Sequence, residues 1–154
     1  MKATLHISIG IPASGKSTHS IAYAKEHGID RSSSDEQRAI FGKDETDQSV
    51  SAQVFDFLAG AIHNNLSVGK DIFIDATHYN RKNRARAIAI ARKYGANVVA
   101  HVSNTPFETC KERNAGRARV VPEFVLERMH KGFEFPTIGE VDSIVWVNQD
   151  EKKD

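Results

Sequence analysis

The sequence predicts an α/β protein of three layers, with a central parallel sheet of about five strands, helices on both faces and a lid. Three observations predict it. Short β-leaning apolar runs alternate with helical patterns along the whole chain. The first strand ends in a glycine loop that opens directly into a helix. Each residue with a chemical signature falls just past the end of a strand, where ligands collect in such sheets.

The first strand is Thr4 to Gly10, followed by a helical pattern from Lys16 to His27 that Gly28 stops. Ile29 to Ser32 reads as a brief second strand. Ser33 and Ser34 precede Glu36 and Gln37 by three residues, a capping-box spacing, so Asp35 falls in the first turn of a helix reaching about Phe41. A loop covers Gly42 to Asp47. From Gln48 to Leu66, Val50, Val54, Phe57, Leu58, Ala61, Ile62 and Leu66 recur at helical spacing and predict one long helix buried on one face. Ile72 to Ile74 form a buried strand ending at Asp75. Asn80 to Tyr94 is helical, with Ala and Ile inside and arginines outside, and Gly95 stops it. Asn97 to Val102 is a strand, Pro106 opens a helix through about Asn114, and Pro122 begins the last helix. Ser143 to Val147 is the final strand, with Trp146 explained by packing, and the tail QDEKKD is charged enough to fray. The phenylalanines read as core.

The 154 residues, 40% hydrophobic and 27% charged, fit one compact domain without linkers or repeats. A single cysteine, Cys110, excludes an internal disulfide, and no Cys/His spacing suggests zinc. The expectation is a reducing, cytoplasmic setting, with neither a secretion signal nor a membrane span. Net charge is only +1, yet ten basic residues lie between Tyr79 and Arg119 against two acids, Glu108 and Glu112. Such a run reads either as a solvated face or as an anion site. The seven histidines lack metal-ligand spacing and read as surface or core residues; His78 stands out among them only by its nearness to Asp75.

Gly10-Ile11-Pro12-Ala13-Ser14-Gly15-Lys16-Ser17 fits G-x-x-x-x-G-K-[ST] in full, between a strand and a helix. Backbone amides of Gly10, Ala13, Ser14, Gly15 and the helix start through Thr18 would curl around phosphate oxygens, Lys16 would reach the β and γ phosphates, and Ser17 would ligate Mg²⁺. The motif makes ATP or another nucleoside triphosphate the expected ligand and places the fold among the P-loop NTPase types. Asp75 is placed like the second acid of such proteins, orienting Mg²⁺ or its water shell, an arginine or the acceptor; a plain strand-end cap is the alternative. Asp35 and Arg38 share a helix face, suiting a proton acceptor beside a phosphate-gripping guanidinium, or equally a helix-dipole acid with a surface ion pair. Arg113, Arg117 and Arg119 bracket Gly116 in a basic stretch over about 115–121 that reads as a lid closing over a triphosphate, or as a solvated loop.

The elements GIPASGKST, SSDEQR, DIFIDATHYNRKNR, KERNAGRARVVP and FEFPTIGE, in that order, together resemble the kinase domain of the phage-type polynucleotide 5′-kinases. The resemblance covers Thr4 to about Val147. It implies an ATP- and Mg²⁺-dependent transfer of phosphate to 5′-hydroxyl ends of DNA or RNA, in a phage or its bacterial host. By that resemblance Lys16 and Ser17 hold ATP phosphates and Mg²⁺, and Asp35 is the general base. Arg38 grips the acceptor's 3′-side phosphate, and Asp75 with Thr77 supports the acceptor site, Asp75 through Arg38. Arg117 is the lid arginine on the transferring phosphate, Arg113 stacks on the nucleotide base, and Val121 walls the terminal nucleobase. The D-x-D-G-T signature of a joined 3′-phosphatase is absent, and the lid is one residue shorter, which leaves Arg119 unassigned. A small-molecule kinase of sugars, antibiotics or nucleosides and a non-catalytic nucleotide switch remain rival readings. Oligomeric state, base preference and the choice between DNA and RNA stay open.

Overall fold

The computed structural model describes residues 2–118 and 120–147; the charged tail and Arg119 lie outside the described residues. Five strands, β1 (Thr4–Ile9), β2 (Asp30–Ser33), β3 (Ile72–Asp75), β4 (Asn97–Ser103) and β5 (Ser143–Val147), form one sheet in the order β2-β3-β1-β4-β5. Every pair is parallel, with Leu5 beside Ile72 on one side and Val98 on the other. Helices α1 (Lys16–His27), α2 (Ser34–Phe41), α3 (Ser51–Ser67), α4 (Arg81–Lys93), α5 (Phe107–Ala115) and α6 (Glu123–Lys131) complete it.

Alternation along β1 assigns its faces. Leu5, Ile7 and Ile9 join Val54, Leu58 and Ile62 of α3 and Ile90 of α4 in the main core. His6 and Ser8 point the other way, under α1, where His6 packs against Tyr23. A second, smaller cluster of Ile11, Cys110 and Leu126 seats α5 and α6 beside the glycine loop. Local caps agree with the sequence. Ser33 Oγ accepts from the Glu36 amide and Asn80 Oδ1 from the Asn83 amide.

Four expectations need correction. The long helix begins at Ser51, because Asp47 caps a separate 3-10 turn over Gln48–Val50. Not all arginines of α4 face outward: Arg84 is fully buried, its guanidinium held by both carboxylate oxygens of Glu140 at 2.6 and 3.1 Å and by the His78 carbonyl at 3.0 Å. A buried cation with a bidentate partner satisfies the burial that helical periodicity assigns to its position. Trp146 is exposed on the edge strand, leaning towards Phe135 rather than into a core. Phe57, Phe124 and Phe135 are exposed as well.

Between α1 and the sheet, three histidines form a chain: His6 Nδ1 lies 3.0 Å from His101 Nε2, and His101 Nδ1 lies 2.9 Å from His19 Nε2. Each contact needs one donor and one acceptor, an arrangement that three neutral rings satisfy. Burial lowers the His6 pKa, and burial with the neighbouring histidines lowers that of His101 to about 3. Burial brings His78 down to about 4. Because these folded-state values lie below the ordinary 6.5, the unfolded chain takes up protons first as the pH falls. Stability held above about pH 6.5 is therefore lost progressively towards pH 4. Urea midpoints measured across that range should decline steadily; a flat profile between pH 7 and 4.5 would mean these rings titrate freely in the folded protein.

Candidate active site

The loop after β1 is tied down from below. The Gly10 amide donates to the Thr77 carbonyl at 3.0 Å, and Thr105 Oγ1 donates to the Ser14 carbonyl at 2.7 Å. Ala13 and Gly15 both take positive φ, 65° and 94°, which turns the chain back on itself before α1. The left-handed conformation is costly for alanine and sits where the loop must curl, as strain at functional loops does. Gly10 is required for another reason. A Cβ there would lie 2.5 Å from Ser14 Oγ and 3.1 Å from Ser103 Cβ. Gly10→Ala should therefore cost about 1–3 kcal/mol by overpacking and weaken nucleotide affinity by deforming the loop. Thermal unfolding and ATP titration read both, and an unchanged variant on both counts would show that the loop has slack.

Two cavities open above the carboxyl ends of the strands. The first, of about 370 Å³, is lined by Ala13, Gly15, Lys16, Ser17, Thr18, Asp35, Arg113 and Arg117. The second, of about 80 Å³, includes Lys16, Asp35, Arg38, Asp75, Thr77, Arg117 and Val121. Lys16, Asp35 and Arg117 line both, so the two spaces meet at these side chains. Gly10 and Ser14 line neither; they form the underside of the loop, and Ser14 is fully buried.

The first cavity suits a triphosphate with Mg²⁺. It sits at the N-terminus of α1, where helix amides and the partial positive end of the helix favour anions. Lys16 and two arginines supply cations, and Ser17 supplies the hydroxyl that a hard cation takes.

Asp35 sits in the first turn of α2, half-exposed, with Arg38 Nη1 3.6 Å from its Oδ1. Arg38 itself is buried; its Nε has no hydrogen-bond partner, and its guanidinium lies 5.6 Å from the centre of the Phe55 ring. Burial pulls its pKa down, only partly offset by Asp35 and Asp47. Such a weakly paired buried cation is costly, and a bound anion would repay the cost.

Asp75 does not hold Arg38. Its Oδ2 accepts from Ser20 Oγ and Arg31 Nη2, both at 2.7 Å, and its Oδ1 lies 3.3 Å from Ser8 Oγ. Burial pushes its pKa up, but Lys16, Ser20 and Arg31 together outweigh burial and hold the carboxyl below its usual range. Arg31 lies closer to the carboxylate because β2 runs beside β3, pairing Ser33 with Asp75. Sequence reasoning missed Arg31 and Ser20; a basic residue in a predicted strand adjoining the acid was the available signal. It also missed Asn114, whose side-chain amide bonds the Val121 carbonyl and amide at 2.8 and 3.0 Å and so ties Val121 to the end of α5.

A family model described as an AAA domain matches residues 5–136. The chain belongs to this family. L-seryl-tRNA(Sec) kinase of Methanococcus maripaludis is 28% identical over 139 residues, covering 86% of this chain and 53% of that protein, so the chain spans about half of this relative's length. Among solved structures, a candidate kinase from Chloroflexus aurantiacus superposes with a TM-score of 0.80 at 17% identity, over 100% of this chain and 93% of that one. A chain of the Pnkp1/Rnl/Hen1 RNA repair complex gives 0.71 at 20% identity, over 85% and 44%. These superpositions establish the fold, that of the P-loop kinases. No described helix is long and apolar enough to cross a membrane.

Proposed function

We propose that the chain is an ATP- and Mg²⁺-dependent kinase that phosphorylates the 5′-hydroxyl end of a nucleic acid. One observation carries this reading: the cleft over the glycine loop and a smaller cavity lined by the buried Arg38, whose Nε has no partner, share Asp35 at their junction. A neutral small acceptor would leave Arg38 without an anion, and a mere nucleotide switch would have no use for a second cavity beside a carboxylate. Two similar proteins, an L-seryl-tRNA(Sec) kinase and a chain of an RNA repair complex, are also named for RNA.

In this reading the loop amides and Lys16 hold the β and γ phosphates. Mg²⁺, held by Ser17, would neutralise charge on the phosphate oxygens. Asp35 takes the proton from the 5′-hydroxyl, whose oxygen forms a bond to the γ-phosphorus as the bond to the β-phosphate oxygen breaks and ADP leaves with that electron pair. Arg38 grips the phosphate on the 3′ side of the acceptor nucleotide, Thr77 and Val121 wall it, and Arg117 neutralises the transferring group from the lid. Arg113 borders the donor nucleotide. Asp75, fixed by Ser20 and Arg31, keeps Lys16 in an acidic neighbourhood and so presents it to the phosphates.

The assay is direct. With γ-labelled ATP and Mg²⁺, label should pass to a 5′-hydroxyl oligonucleotide and not to the same oligonucleotide carrying a 5′-phosphate. Equal labelling of both, or labelling only of sugars or nucleosides, would defeat the reading.

A further inference from the structure

The loop between α2 and α3 forms one wall of the acceptor cavity through Glu45, Thr46 and Gln48. It is not a slack connection. Asp44 Oδ1 accepts from the Thr46 amide and hydroxyl at 2.9 and 2.6 Å. Asp47 accepts from the Lys43 amide at 2.9 Å and from the Ser49 amide and hydroxyl at 3.0 and 2.6 Å. These bonds of both aspartates to the loop's own amides and hydroxyls fix the course of the main chain on either side of Glu45.

Glu45 lies within this braced turn. Among the described residues its carboxylate has no hydrogen-bond or ion-pair partner, yet it lines the same small cavity as Arg38, whose buried Nε is also unpartnered. An acid beside a phosphate site repels the ligand unless the ligand brings a donor to it, because an ionised carboxylate only accepts. The required acceptor thus carries an N–H or O–H immediately next to its phosphate. At a 5′-terminal nucleotide, the 2′-hydroxyl of ribose is the donor on the carbon adjacent to the one bearing the 3′-phosphate. Deoxyribose has none.

We infer that Glu45 accepts a hydrogen bond from the 2′-hydroxyl of the terminal nucleotide, making RNA ends the preferred acceptor over DNA ends. This rests on the proposed 5′-kinase reading and names the substrate class of that same site. A hydrogen bond to a charged group corresponds to about a ten- to hundredfold preference.

The test compares three 5′-hydroxyl oligonucleotides that differ only in the terminal sugar: ribose, 2′-deoxyribose and 2′-fluoro-2′-deoxyribose. For the wild-type chain, kcat/KM should favour ribose at least tenfold over deoxyribose, with 2′-fluoro no better than deoxyribose because fluorine offers the carboxylate no proton. In Glu45→Ala the ribose-to-deoxyribose ratio should fall to within about twofold of one, and Glu45→Gln should retain part of it. Equal wild-type rates on all three acceptors, a 2′-fluoro end used as well as ribose, or an undiminished ratio in Glu45→Ala would overturn the inference while leaving the kinase reading intact. Label on none of them would overturn the kinase reading itself. The three-sugar series on the wild-type chain decides the matter even if a variant misfolds.

Discussion

Asp35→Asn is expected to lower phosphoryl transfer by about 10²–10⁴-fold while leaving ATP affinity close to that of the wild-type chain. The asymmetry follows from position. Asp35 borders the triphosphate cleft but is carried by α2, across the space from the loop and α1 that supply the phosphate-binding amides. Asparagine preserves shape and removes the capacity to take a proton. Lys16→Ala, by contrast, removes the cation at the base of the cleft and should cost nucleotide affinity directly. Isothermal titration with ATP beside a transfer assay separates the two. If Asp35→Asn loses affinity as severely as Lys16→Ala, Asp35 belongs to the donor site and is not the base.

Arg84→Ala should destabilise the fold by about 3–5 kcal/mol, the cost of leaving one partner of a buried ion pair uncompensated. For a domain of this size each kcal/mol lowers the thermal midpoint by about 2–4 °C. Glu140 would keep a sequestered carboxylate, and the His78 carbonyl would lose its donor. That carbonyl belongs to a residue with a φ of 44°, immediately after Thr77, so the damage lies beside the smaller cavity. Combining Arg84→Met with Glu140→Leu removes both charges and should recover most of the midpoint, since apolar replacements of buried pairs are often neutral or stabilising. A single-variant loss below about 1 kcal/mol would mean that water reaches the pair.

These two residues mark what the sequence makes legible. Lys16, Asp35 and Arg117 announce themselves, because a phosphate loop, a first-turn acid and a glycine-flanked arginine are local patterns, and the chain brings all three to one junction. The strand and helix order is equally local, so each strand is recognisable from its own run of residues. Arg84 was invisible for the opposite reason. Its partner Glu140 is 56 residues away, and an inward position on α4 does not by itself reveal the distant carboxylate that lets an arginine occupy it. The exchange of Arg38 for Arg31 at Asp75 has the same origin: which arginine a carboxylate takes depends on strand order, which places β2 beside β3. The histidine chain under α1 likewise draws on β1, β4 and α1, three segments far apart in sequence.

The most direct measurement is a crystal structure of the chain with a non-hydrolysable ATP analogue, Mg²⁺ and a 5′-hydroxyl dinucleotide. The γ-phosphate should rest between Lys16 and Asp35, with the acceptor's 5′-oxygen within hydrogen-bond distance of the Asp35 carboxylate and its phosphate on Arg38. A triphosphate tail lodged away from the loop, or an acceptor oxygen facing some other group, would contradict the account.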